Sequence, residues 1–139
     1  MPAAPTADDL KANPIVLAAL DLAWLDSMTR DPALRHEEGG WIYMDVSNGT
    51  ITVRRAYTGG LNYIDLSVPA IVLMSVIVGK FHTHPNPTDD GWNPAPSHAD
   101  MVLDWQDGVP NLIKSDRGIF VSGPPSRRGG LAGPPGFPF

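Results

Sequence analysis

The stretch from Ile71 to Pro85 decides the fold of this chain, and its sequence is Ile-Val-Leu-Met-Ser-Val-Ile-Val-Gly-Lys-Phe-His-Thr-His-Pro. Its apolar, β-branched first half is typical of a buried strand, so we predict a strand over residues 71–83. Residues i and i+2 of a strand point to the same face, which places His82 and His84 side by side, roughly 6.6 Å apart at Cα. Pro85 cannot donate to a β-ladder and therefore ends the strand.

A proline-rich loop, residues 86–96, leads from this strand to Ser97-His98-Ala99-Asp100. Ser97 is a favourable N-cap residue, and we predict a helix over residues 97–106. The apolar residues of this helix recur at helical spacing and are Met101, Val102 and Trp105. Asp100 then lies in the first turn, facing back to the end of the strand.

The two histidines and the aspartate match the ligand pattern of a catalytic zinc, which takes three protein ligands and keeps its fourth position for water. His82, His84 and Asp100 are therefore candidate zinc ligands. Each motif has a simpler explanation, because His-x-His is common on exposed strands and Ser-x-x-Asp resembles a capping box, whose fourth member is usually Glu or Gln. The joint pattern is much rarer than its parts and favours zinc. His98 is expected to face solvent rather than bind the metal.

A zinc site that activates water also needs a general base close to the metal. Two candidates, Glu37 and Glu38, precede Gly39-Gly40 and an apolar stretch. Both glutamates could also be a solvated pair in front of a strand.

In these three segments the chain resembles the JAMM (MPN+) zinc metalloproteases. Their signature is a Glu in an E-x-x-G context on an early strand, then His-x-His-Pro, then Ser-x-x-Asp. Glu37 fits, with Gly40 three residues on, whereas Glu38 would need its glycine at Trp41. The resemblance covers roughly residues 12–122. It implies that His82, His84 and Asp100 bind Zn²⁺, that Glu37 activates the water, and that Ser97 stabilises the tetrahedral oxyanion.

The resemblance also implies a fold and an activity. The fold is α/β, a single domain with a curved mixed β-sheet flanked by helices, in the architecture of JAMM proteins and cytidine deaminases. The activity is hydrolysis of peptide or isopeptide bonds in a protein or peptide substrate, often next to the C-terminal tail of ubiquitin-like modifiers. Small bacterial members include standalone peptidases and toxin-associated effector domains, and other members are non-catalytic scaffolds. The intact ligand set favours an enzyme, while the substrate, the cleaved bond and the oligomeric state stay open.

One segment departs from the family pattern. The loop Asn86–Pro96 has eleven residues, more than in many members. A loop of this kind lies over a site that a rigid scaffold holds, so we expect it to influence substrate choice. Its one aromatic residue, Trp92, either contacts a ligand or folds back onto the core.

Composition excludes several classes of protein. The chain has 139 residues, enough for one domain with a core, and a net charge of −5 with no basic block for nucleic acid. It has no cysteine, which excludes disulfides and Cys-ligated zinc sites such as those of nucleobase deaminases. No signal peptide and no membrane span is apparent. We therefore expect a cytoplasmic protein, with delivery by a secretion apparatus left open.

The remaining elements follow from local signals. Asn13-Pro14 starts a helix to about Thr29, whose expected core stripe is Leu17, Leu20, Trp24, Leu25 and Met28. Strands are predicted over residues 40–46 and 50–57, joined by Asn48-Gly49, and over 111–114 and 118–122, while 61–67 is a short strand or loop. The resemblance implies a JAMM-type metallopeptidase domain over residues 1–122. The Pro/Gly-rich tail, 123–139, is either a flexible end or a strap closing on apolar surface through Phe137 and Phe139.

Overall fold

The structure is a computed structural model that describes residues 1–88, 91–93 and 96–128. Within these ranges the elements, in chain order, are α1 (Ala7–Ala12), α2 (Pro14–Asp26), β1 (Gly39–Asp45), β2 (Ile51–Arg55), β3 (Ser75–Thr83), α3 (His98–Asp107), β4 (Asn111–Ser115) and β5 (Gly118–Ser122). The strands form a five-stranded sheet in the order β2-β1-β3-β4-β5. The pair β3–β4 is parallel and the other pairs are antiparallel, so the predicted α/β fold with one mixed sheet and helices is confirmed.

The central strand β3 is buried along its whole length, as its apolar sequence predicts. Helices α1 and α2 cover one face of the sheet with a core of Leu10, Val16, Leu20, Ala23, Ile42, Met44, Val76, Val78, Phe81 and Leu112. The opposite face carries a smaller cluster of Trp41, Tyr43, Leu66, Ile77 and Val109. The end of β3 that bears His82 therefore lies between two packed layers, which hold its backbone in place.

Two predictions about α2 need correction. The helix starts at Pro14, where the Asn13 side chain accepts a hydrogen bond from the Ile15 amide at 2.9 Å, but it ends at Asp26 rather than near Thr29. The expected core stripe is also wrong in part, since Leu25 is 72% and Met28 42% exposed. The residues that face the sheet are Val16, Leu20 and Ala23, because a spacing of four and three residues follows one side of a helix.

The predicted strand over 71–83 is wrong at its start. The strand begins at Ser75, after Met74 adopts a positive φ of 61° that turns the chain into the sheet. Ile71 and Leu73 lie on the surface, 67% and 74% exposed, in the loop that precedes this turn. Helix α1 was not predicted; its start is a capping box between Thr6 and Asp9.

Glycines at the start of β1 allow the strand to enter the sheet. A Cβ atom on Gly39 would lie 2.3 Å from the Phe81 carbonyl oxygen, and one on Gly40 would lie 2.0 Å from the Arg54 carbonyl oxygen. No side chain fits at such distances, so the pair Gly39-Gly40 lets β1 pass between its neighbours. The register then places Gly39 opposite His82 and brings the preceding glutamates to the end of β3.

The first part of the Pro/Gly-rich tail packs against the body. The Pro125 carbonyl accepts a hydrogen bond from the Ala7 amide at 2.8 Å, and the Arg128 amide donates to Gly108 at 2.6 Å. Phe137 and Phe139, the anchors of the predicted strap, lie outside the described residues. Among the helices that the structure describes, none is both long enough and apolar enough to cross a membrane.

Candidate metal centre

The two histidines converge at the end of β3. His82 is on the strand, and the His84 amide just beyond it donates to the Lys114 carbonyl at 2.8 Å, which extends the alignment with β4. Their ring centroids are 5.0 Å apart and their Nε2 atoms 3.2 Å apart. Two nitrogen ligands of a tetrahedral zinc lie roughly 3.3–3.4 Å from each other, given Zn–N bonds of about 2.0–2.1 Å. The same distance also fits a hydrogen bond between two neutral imidazoles, one of which donates and the other accepts.

Glu37 completes a group of three possible ligands. One ligand atom from each of Glu37, His82 and His84 lies within 4.8 Å of the others. The Glu37 backbone is held on both sides, because its amide donates to Gly60 at 2.7 Å and its carbonyl accepts from Gly59 at 2.9 Å. The residue is only 5% exposed. The chain therefore presents a buried carboxylate to two imidazoles.

Burial shifts the pKa values of Glu37 and His82 so that the neutral form of each side chain is favoured. It raises the pKa of Glu37 from 4.5 to about 8, with a further contribution from the negative charge of Asp100. Burial also lowers the pKa of His82 to about 4, and His84 adds to that shift. His82 is thus neutral at physiological pH, as a metal ligand must be. Its Nδ1 atom departs from the usual pattern of ligand histidines, since it is buried without a hydrogen-bond partner among the described residues.

The neighbouring glutamate has a different role. Glu38 is also buried, and it pairs with Arg55 at 2.5 Å and with His36 at 2.7 Å. Its amide donates to the Thr83 hydroxyl at 3.0 Å, which anchors the segment to β3. Of the two candidate bases, the structure therefore brings Glu37 to the histidines and engages Glu38 in ion pairs.

Ser97 and Asp100 form the start of α3. The Ser97 hydroxyl accepts a hydrogen bond from the Asp100 amide at 3.1 Å, and the Asp100 carboxylate accepts from the Ser97 amide at 3.2 Å. This is a capping box with aspartate in the fourth position. Both residues line a pocket that Glu37 and His84 also line. Asp100 is not in the three-residue ligand group, so its role as a metal ligand stays a prediction. His98 is exposed.

The ligand group lies between two adjoining pockets. The deeper one, of about 220 Å³, has His82 and Lys80 at its base and runs between the loop 62–67 and α3. The second, of about 240 Å³, is lined by Trp92, Asn93 and Ser97. Trp92 belongs to neither buried apolar cluster, which favours contact with a ligand over packing onto the core. Residues 89–90 and 94–95 of the same loop lie outside the described residues.

Sequence reasoning missed a buried charged cluster beside the site. Lys80, which is 4% exposed, pairs with Asp104 at 2.8 Å and with Asp107. The Asp104 carboxylate also accepts hydrogen bonds from the side-chain amide of Asn111 at 3.1 Å and from the Ser122 hydroxyl. The signal was the lysine inside an apolar strand, two residues before His82 and on the same face. The cluster ties α3 to the sheet.

Neither family models, nor characterised proteins, nor solved structures match this chain. Its function must therefore be inferred from the residues at this site.

Proposed function

We propose that the chain is a zinc-dependent hydrolase of the JAMM type that cleaves peptide or isopeptide bonds. The observation that carries the proposal is the group of Glu37, His82 and His84, whose ligand atoms lie within 4.8 Å of one another at the base of a cleft. The order along the chain supports the proposal: a glutamate just before β1, two histidines at the end of β3 and a Ser-x-x-Asp helix start follow the order of the JAMM signature.

His82 and His84 are two of the zinc ligands in this proposal, and two residues compete for the third place. The sequence pattern favours Asp100, whose capping bond uses only Oδ2 and so leaves the carboxylate a second oxygen for a cation. The geometry offers Glu37, since His₂Glu is also a zinc ligand set in hydrolases. We favour Asp100, because Glu37 then remains available as the base.

The chemistry divides between the metal and the chain. Zinc in this place would lower the pKa of water towards 7 and polarise a carbonyl group. Beside a bound dication Glu37 would be ionised, and a carboxylate oxygen would then accept a proton from the attacking water and later give it to the leaving amine. The Ser97 hydroxyl already accepts the Asp100 amide hydrogen and retains its own hydrogen to donate to the substrate oxygen. Residues 62–67 and α3 orient the substrate and exclude water on either side.

The burial of Glu37 favours an enzyme over a non-catalytic scaffold. Burying a carboxyl group costs free energy of folding, and groups held at such a cost are concentrated at functional sites. Glu38, which is equally buried at 5% exposure, is instead paired with the Arg55 guanidinium. The proposed substrate is a protein or peptide, with ubiquitin-like modifiers as one candidate class; in the effector alternative it is an unidentified protein. A non-catalytic scaffold is the rival class.

The experiment compares Glu37→Gln with Glu38→Gln. Turnover is measured with zinc-loaded protein on a quenched-fluorophore peptide library and on an isopeptide-linked ubiquitin-like substrate. We expect Glu37→Gln to reduce turnover by roughly 10²–10⁴-fold, as loss of a positioned base does, and Glu38→Gln to retain it. Zinc bound by a wild-type protein that hydrolyses neither substrate would favour the scaffold.

A further inference from the structure

Helix α3 buries polar side chains against the sheet and exposes apolar ones, the opposite of the usual arrangement. Its buried residues are Asp104 and Asp107, which face Lys80 in the sheet. Its apolar residues face outward, with Met101 40%, Val102 45% and Trp105 52% exposed. These three side chains line one shallow pocket, bounded by His98 and Gln106, which we call the α3 outer face. A contiguous apolar surface of this kind marks a site of interaction.

The described chain leads directly to this surface. The Arg128 amide donates a hydrogen bond to the Gly108 carbonyl at 2.6 Å, just past the end of α3. The Arg128 guanidinium carbon lies 5.5 Å from the centroid of the Trp105 ring, a cation–π distance. Arg128, the last described residue, therefore lies at the edge of the α3 outer face.

The segment that follows matches the surface in chemistry. Residues 129–139 are Gly-Gly-Leu-Ala-Gly-Pro-Pro-Gly-Phe-Pro-Phe, with no charged side chain and with Leu131, Phe137 and Phe139 as large apolar groups. Proline-containing apolar segments dock on aromatic-lined surfaces with a small loss of entropy. Eleven residues reach up to about 36 Å when extended, whereas a ten-residue helix is about 15 Å long. The segment can thus cover the whole face.

We propose that residues 129–139 dock on the α3 outer face and bury Met101, Val102 and Trp105. The segment is preferred over a second copy of the chain because its covalent tether at Arg128 gives it a high effective concentration at the surface. The proposal does not depend on zinc or on hydrolysis.

A disulfide-trapping experiment on the full chain tests this docking. The chain contains no cysteine, so the pair Val102→Cys and Ala132→Cys can form only one disulfide within a chain. The control carries the same cysteine pair together with Leu131→Asp, Phe137→Asp and Phe139→Asp, which keeps the tether and removes the apolar anchors. Disulfide formation is followed by mass spectrometry under mild oxidation, and the thermal midpoint of both proteins checks that the body is folded.

We expect the chain with its native anchors to form an intramolecular disulfide at least about tenfold faster than the control, the ratio that about 1.4 kcal/mol of docking free energy gives. Equal rates would overturn the proposal, because tether length alone would then bring the cysteines together. A disulfide that joins two chains and forms faster at higher protein concentration would also overturn it, in favour of a second copy on this face.

Discussion

Lys80 Nζ lies 2.8 Å from Asp104 Oδ1, in the buried layer between the strand that carries His82 and the helix that carries Asp100. The pair joins the two segments that supply the proposed ligands, one at each side of the cleft. Its loss would therefore affect both the stability of the fold and the alignment of the site.

Lys80→Met should destabilise the protein by roughly 3–5 kcal/mol, because it leaves two buried carboxylates without their cation. The matched control is Lys114→Met, which removes a surface pair with Asp21 (2.9 Å; the aspartate side chain 72% exposed) and should cost less than about 1 kcal/mol. Urea unfolding of both variants measures the difference. Similar small losses for the two lysines would mean that the cluster does not hold α3 to the sheet.

Glu37→Gln should change how stability depends on pH in the metal-free protein. Folding raises the pKa of Glu37 from 4.5 to about 8, so the folded state holds a proton that the unfolded state loses above pH 4.5. Wild-type stability therefore falls as pH rises from about 4.5 through 8. The amide imitates the protonated carboxyl group, so its advantage over wild type should grow across this window. Thermal unfolding in chelator at pH 5 and pH 8 tests this, and a constant difference would contradict it.

Ser97→Ala should show two separate effects. Loss of the helix cap costs roughly 1 kcal/mol of stability, and loss of a hydroxyl that meets the oxyanion reduces turnover by roughly 10²–10³-fold. Thr6→Ala is the control, because Thr6 forms the same type of capping box at α1, outside the cleft. It should reduce stability and leave turnover unchanged. If both variants lose stability and neither loses turnover, Ser97 is a cap only.

The third ligand can be assigned by comparing Asp100→Ala with Glu37→Gln. If Asp100 ligates the metal, its alanine variant should lose about 10–100-fold or more in zinc affinity, while Glu37→Gln should still bind one zinc. Competition with a fluorescent chelator measures both affinities. A larger loss of zinc affinity in Glu37→Gln than in Asp100→Ala would make Glu37 the third ligand and leave the site without the proposed base.

The sequence predicted the parts of the fold that follow from local chemistry. The Asn13 cap and the Ser97 cap lie where their signals place them, and the hydrophobic run forms the buried strand β3 from Ser75 onward. The convergence of His82 and His84 followed from strand parity alone. These features depend on residues close together in the chain.

What escaped prediction depends on contacts between distant segments. Leu25 has helical spacing with core residues, yet it is 72% exposed, and none of the helices and strands in the described ranges covers that side of α2. The burial of Lys80 and Asp104 requires α3 to pack on the sheet with its polar side inward, opposite to the usual pattern. The E-x-x-G match favoured Glu37 over Glu38, but the burial of Glu37 depends on the path of the chain around Gly60, which periodicity cannot show.

The most direct test of the central claim, that His82 and His84 bind zinc, is the zinc content of purified protein, measured by elemental mass spectrometry. Wild-type protein and the double variant His82→Ala/His84→Ala are prepared in parallel, with circular dichroism to confirm that both are folded. We predict about one zinc per wild-type chain and almost none in the double variant. Wild-type protein that holds no more zinc than the folded double variant, even after incubation with added zinc, would contradict the account.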